Sequence, residues 1–173
     1  MYLVSIYFDE KTDKRIAQYI RKVAEVTGNT FMTDGNVPPH ITVSAFETRH
    51  EMTALNLVEN IVKKLNSGHI TWASVGQFFP YVIYMMPVLN EYLQNMSETI
   101  YDELSKQRGI TISPYYKPFQ WLPHATIGKK LSKDEMKKAF EIMQESFGVF
   151  ESQVVKIGLA KPNPHRDIKI WEL

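Results

Sequence analysis

The 173-residue chain contains no cysteine. That absence excludes disulfides, thiolate nucleophiles and Cys-based metal centres. It also lacks a secretory leader and any apolar run near the ~20 residues that a membrane-spanning helix needs, so a cytoplasmic protein with no membrane association is expected. Charge of one sign is scarce too: 20 Lys and Arg stand against 19 Asp and Glu, a net charge of +1. A protein that tracks a long nucleic-acid backbone carries a clear positive excess, so small nucleotides, short oligonucleotides or RNA ends suit this balance better. There is no G-x-x-x-x-G-K-[ST], G-x-G-x-x-G or G-x-S-x-G, which removes the usual signatures of NTP, dinucleotide and α/β-hydrolase sites. No linker-like or low-complexity stretch interrupts the pattern, so residues 1–173 read as one domain, expected to be monomeric.

What the chain does have is two related tripeptides, His40-Ile41-Thr42 and His124-Ala125-Thr126, each preceded by Pro and set in a short apolar run. Strand side chains alternate between faces, so the His and the Thr two places on project from the same side. Two such strands side by side would carry two imidazoles and two hydroxyls, a set able to hold a phosphate between a proton acceptor and a donor. The tripeptide is a loose pattern: with five His among 173 residues, about 0.6 His-x-[Ser/Thr] pairs arise by chance, and His69-Ile70-Thr71 is a third copy.

Element order separates the three. Strands are predicted at 2–8, 40–46, 69–79, 81–86, 121–129, 149–160 and 168–173, and helices at about 9–26, 51–65, 89–107 and after Ser132, where Glu135 completes a capping-box spacing. A shift of 84 residues superposes His40 on His124, Pro39 on Pro123, Met52 on Met136 and Pro80 on Pro164. His69 lands on Gln153 and reads as an ordinary strand-end residue. The order of elements therefore occurs twice, with a motif strand near the middle of each half.

Alternation gives each motif strand a helix-facing apolar side: Ile41, Val43 and Ala45 in the first, Ala125 and Ile127 in the second. His40, Thr42, Ser44 and Phe46, and likewise His124, Thr126 and Gly128, are expected on the opposite face, with small Ser44 and Gly128 leaving room for a ligand. His50 and His165 read as surface residues.

Two Pro-His-x-Thr strands half a chain apart in a repeated β/α order resemble the two-histidine (2H) phosphoesterase superfamily, on the side of the 2′-5′ RNA ligase-like cyclic phosphodiesterases. The resemblance implies an α+β, bilobal pseudo-twofold fold in which two mainly antiparallel sheets line a central groove, with helices outside. It implies action on 2′,3′-cyclic phosphates or 2′-5′ linkages of nucleotides or short RNA, with His40 and His124 as the catalytic pair and Thr42 and Thr126 holding the phosphate. Family members carry a basic residue just after the second motif, commonly Arg; here Lys129 and Lys130 stand there and would act as point charges without a bidentate fork.

The chemistry suits these residue types. Opening a cyclic phosphate requires a base for the attacking water and an acid for the departing ribose oxygen, and histidine serves as either near neutral pH. Phe46, Tyr84, Tyr115, Tyr116 and Trp121 are candidates to stack a base, or to fill the core. Neither motif has an acidic neighbour on its own face to complete a metal site, so no metal and no cofactor are expected. Two other readings stay open: a groove that binds nucleotides or RNA ends without turnover, and the same chemistry on a non-RNA cyclic phosphate such as an ADP-ribose derivative. Reverse action as an RNA ligase also stays open.

Overall fold

The computed structural model describes residues 1–173. Eight strands run β1 (Tyr2–Phe8), β2 (Ile41–Glu47), β3 (Gly68–Phe78), β4 (Val82–Pro87), β5 (Thr111–Ile112), β6 (Ala125–Gly128), β7 (Phe150–Lys161) and β8 (Arg166–Glu172). Five helices are α1 (Glu10–Thr27), α2 (Phe31–Asp34), α3 (Glu51–Val62), α4 (Glu91–Ser105) and α5 (Lys133–Ser146). The fold is α+β and every strand pairing is antiparallel.

The expected two sheets are hydrogen-bonded into one, in the order β5-β2-β1-β7-β3-β4-β6, with β8 also on β7. The join is β7, whose Phe150–Val154 segment pairs with β3 while Val154–Ala160 pairs with β1. One lobe therefore holds β2 and the other β6, on either side of a shared twelve-residue strand.

Local chemistry starts and stops the helices as their sequences require. Asp9 caps α1 by accepting from the Thr12 amide at 2.9 Å, and Gly28 closes it at φ 74°, a left-handed conformation that glycine adopts without a Cβ penalty. Ile16, Tyr19, Ile20 and Val23 bury its apolar stripe. In α5 the Ser132–Glu135 capping box forms in both directions, at 2.6 and 3.3 Å.

The helices interlock the lobes. Helix α1, which precedes the first motif strand, lies against α5 and the second motif strand, β6; α4, which precedes the second, lies against β2. Each motif strand is thus covered by a helix from the other half, and one cluster of 32 buried residues runs through both. Trp72 is fully buried in this core with its indole N–H satisfied by Ser152 Oγ at 3.0 Å. None of the helices is long and apolar enough to cross a membrane.

Candidate active site

Both motif histidines sit one residue before their strands, and both are held in the same way. A ring Nδ1 lies 2.8 Å from the carbonyl oxygen two residues back, Pro38 for His40 and Leu122 for His124. A carbonyl oxygen only accepts, so in each ring Nδ1 carries the hydrogen and Nε2 is left with its lone pair. Burial pushes both imidazoles below the ordinary histidine pKa, against the raising effect of those carbonyls. His165 and His124 lower His40 further, and Asp167 opposes them.

A one-residue bulge follows the Thr of each motif. In the β1–β2 ladder Val4 pairs with Ser44 and Ser5 with Thr42, which leaves Val43 as the extra residue. In the β4–β6 ladder Ile83 pairs with Gly128 and Tyr84 with Thr126, which leaves Ile127 extra. Val43 and Ile127 are themselves 84 residues apart, so the bulge belongs to the repeat.

The bulge overturns the simple alternation expected for these strands, because an extra residue flips every later side chain to the other face. Phe46 consequently turns into the core, stacks on Tyr2 with ring centroids 5.8 Å apart and is 1% exposed, so it offers no face to a base. Ser44 is buried as well. Gly128 does not open space for a ligand: a Cβ there would stand 2.8 Å from Ile83 Cγ2, and the glycine is needed for core packing.

The remaining predicted residues divide between groove, core and solvent. Thr42 is buried, with its hydroxyl 3.3 Å from Ser5 Oγ, and neither it nor His124 lines the cavity beside His40. Thr126 is half-buried and lines, with His40, Lys129 and His165, a cavity of about 540 Å³ that Phe31, Met32 and Asp34 also line. Tyr84 packs against His124 at 5.4 Å and Phe78 at 4.3 Å and is 7% exposed, a support for the histidine with little surface left for a base. Trp121 is 6% exposed and donates its indole N–H to the Thr42 carbonyl at 3.0 Å, tying the second lobe's motif loop to the first motif strand. Tyr115 is 79% exposed in a 3-10 turn at Pro114–Tyr116, apart from the cavity, and Tyr116 packs against the core. Lys129 lines the cavity, whereas the Lys130 ammonium lies 4.4 Å from the Phe31 ring centroid.

Three groups at the site escaped the sequence reading. Tyr7 lies beside His40 at 6.3 Å, and His165, expected on the surface, stands parallel to His40 at 6.1 Å. Asp167 Oδ1 accepts from the Tyr7 hydroxyl at 3.1 Å and from His165 Nε2 at 3.2 Å, which brings a carboxylate to the His40 side that neither motif strand supplies. The repeat carried the missing signal: Pro80 and Pro164 each mark the hairpin tip that reaches its lobe's motif, and His165 directly follows Pro164.

Glycines seat the tyrosines in both lobes. A Cβ on Gly76 would lie 2.6 Å from Tyr84 Cζ, and one on Gly158 would lie 2.8 Å from Tyr7 Cε2. Only a bare backbone lets each ring lie flat enough to reach its histidine.

The geometry has relatives. A family model described as the 2′-5′ RNA ligase superfamily matches residues 10–166. No curated protein matches the sequence. Among solved structures, a crystal structure of a phosphoesterase superposes with a TM-score of 0.65 at 13% identity, covering 99% of this chain and 97% of that one. E. coli LigT complexed with 3′-AMP gives 0.65 at 12% identity, covering 99% and 96%, and its complex with ATP gives 0.61 at 13% over the same shares. At such identities the likeness speaks for the fold, and the family match speaks for descent: the chain belongs to the 2′-5′ RNA ligase superfamily, the 2H phosphoesterases.

Proposed function

We propose that this protein is a metal-independent phosphodiesterase that opens 2′,3′-cyclic phosphates, or acts on 2′-5′ linkages, of nucleotides or short RNA, with His40 and His124 as general base and general acid. The observation that carries the reading is the matched Nδ1–carbonyl contact at both histidines, which selects the same tautomer in each ring. Each neutral ring has Nδ1–H committed to a backbone carbonyl at 2.8 Å and so offers Nε2 as a base; once protonated, it offers Nε2–H as an acid.

One imidazole takes a proton from water as the water oxygen bonds to phosphorus. The other donates its proton to the ribose oxygen as that P–O bond breaks, leaving a phosphomonoester. Ligation would be the same opening with an RNA 5′-hydroxyl in place of water, its oxygen bonding to phosphorus and its proton passing to the base; in the reversal of that step, cleavage of a 2′-5′ linkage to a cyclic phosphate, the two roles exchange. Thr42 and Thr126 are the donors for the non-bridging oxygens. If Ser5 donates to Thr42 Oγ1, the Thr42 proton is free for the phosphate. Lys129 on the cavity wall adds positive charge, and a cavity of about 540 Å³ suits a mononucleotide or the end of an RNA. The E. coli LigT complexes with 3′-AMP and ATP support nucleotides as the substrate class. Nucleotide binding without turnover would not require two imidazoles with free Nε2 atoms.

The test is turnover of 2′,3′-cyclic mononucleotides, 2′-5′ dinucleotides and ADP-ribose cyclic phosphate with EDTA present. Hydrolysis of at least one of the first two, abolished in both His40→Ala and His124→Ala, is expected. Activity that survives both substitutions sinks the mechanism, and activity confined to the ADP-ribose compound moves the substrate outside RNA.

A further inference from the structure

We propose that His165 is a third imidazole of the site, a phosphate-binding residue that reaches the substrate from the first lobe and is positioned by Asp167. The inference rests on the phosphodiesterase reading for its substrate and on independent geometry for its residue. His165 lines the same cavity as His40, Thr126 and Lys129, with its side chain 16% exposed. It stands parallel to His40, 26° between the planes and 6.1 Å between centroids, wider than stacking contact, so the two rings are neighbours along one wall.

Its orientation is determined by what holds it. Asp167 Oδ1 lies 3.2 Å from His165 Nε2 and accepts the Tyr7 hydroxyl at 3.1 Å. A carboxylate accepts only, so Nε2 carries a hydrogen and the ring's other nitrogen, Nδ1, is the one available to a ligand. A proton on Nδ1 as well would let the ring donate to a phosphate oxygen on one side and to the carboxylate on the other. Burial and the Asp167 carboxylate push the Tyr7 hydroxyl well above its ordinary pKa, which keeps it a donor to that carboxylate.

Nothing equivalent exists in the second lobe. The residue 84 places before His165 is Tyr81, which is exposed, and the His124 ring is edged by Phe78 at 4.8 Å and Tyr84 at 5.4 Å. A third imidazole on one side only gives the groove a direction, and a phosphate with different groups on its two sides is a ligand that direction can sort.

The experiment is isothermal titration of inorganic phosphate and of 3′-AMP into wild type, His165→Ala, His165→Gln, Asp167→Asn and, as a control away from the cavity, His69→Ala, with folding checked by circular dichroism. Both His165 substitutions are expected to weaken binding about tenfold or more, as the loss of a charge-assisted hydrogen bond does, with His69→Ala unchanged. Asp167→Asn should weaken it less. In ¹⁵N-labelled protein the neutral His165 ring should be an Nε2–H tautomer, and the two tautomers should mix in Asp167→Asn. Unchanged phosphate affinity in folded His165→Gln, or an Nδ1–H tautomer in wild type, overturns the proposal. Binding requires no turnover, so an absence of hydrolysis with His165-dependent phosphate binding would remove the enzymatic reading alone, while turnover with His165-independent binding would remove this one alone.

Discussion

In the first lobe His40 stands beside Tyr7 and His165, both hydrogen-bonded to Asp167; in the second, His124 is edged by the rings of Phe78 and Tyr84, and its protonation answers to burial and the Leu122 carbonyl. Their immediate settings are the same: a carbonyl on Nδ1, a Thr two residues on, a bulge at the third residue and a tyrosine seated on a glycine. Under the proposed mechanism, the likeness covers the groups that would move protons, and the difference lies in what surrounds them. A phosphodiester under hydrolysis would meet water on one side of phosphorus and release a ribose oxygen on the other, so a groove with identical walls would fit neither side well.

The strongest way to break this comparison is to remove one imidazole at a time. His40→Ala and His124→Ala should each lower kcat by on the order of 10²-fold or more, and the double variant should lose little beyond either single one, because the pair acts as a unit. Steady-state rates on a cyclic mononucleotide decide it; a large loss from only one substitution would mean that one lobe carries the chemistry.

Next in size are the glycine seats. Gly76→Ala and Gly158→Ala should each destabilise the fold by roughly 1–3 kcal/mol, because a Cβ at 2.6 Å from Tyr84 Cζ or 2.8 Å from Tyr7 Cε2 forces the ring to shift. Urea denaturation measures this, and kcat should fall in parallel as the displaced ring disturbs its histidine. Equal stability in both variants and wild type would show that the rings are free to move.

Smaller still, and unequal between lobes, is the loss of each tyrosine hydroxyl. Tyr7→Phe deletes the donor to Asp167 and should cost about 1 kcal/mol, whereas Tyr84→Phe, which breaks no side-chain hydrogen bond, should stay within about 0.5 kcal/mol. Like costs at the two positions would erase the contrast between a polar and an aromatic setting.

The subtlest difference is in pH dependence. Burial sets both motif histidines below the unfolded value near ~6.5, so the native state binds fewer protons than the unfolded one as pH falls through that region. Stability is full above the unfolded pKa and is lost as pH drops toward the folded one. Between pH 7.5 and 5.5 the denaturation midpoint of wild type should therefore fall more than that of His40→Ala or His124→Ala. Asp167→Asn should move the titration of His40 downward, since it removes the raising charge, and leave His124 in place; histidine proton shifts followed by NMR would show both.

Much of this arrangement was legible from residue order. The 84-residue shift located both motif strands and set His69 aside, and the caps at Gly28 and Ser132 behaved as their types require. What misled was alternation: a strand read by strict period two places Phe46 and Ser44 beside Thr42, and one inserted residue, Val43, sends both to the core. The bulge leaves no mark in composition, because Val43 and Ile127 are ordinary strand residues whose pairing is decided by the partner strand. Residues 110–120 contain β5 and the 3-10 turn, both too short to show a period in the sequence.

Sequence alone determined what is local or repeated: the motif histidines and threonines, the helix ends, the order of elements and the absence of thiol chemistry. These follow from propensity, capping and spacing, which act over a few residues. Tertiary structure decided what depends on contact across the chain: the joining of the sheet through β7, the exchange of covering helices between lobes, and the assembly of Tyr7, His40, His165 and Asp167 from segments as many as 160 residues apart. Side chains that far apart in sequence are brought together by burial of a common core, and no local rule records which of them will meet.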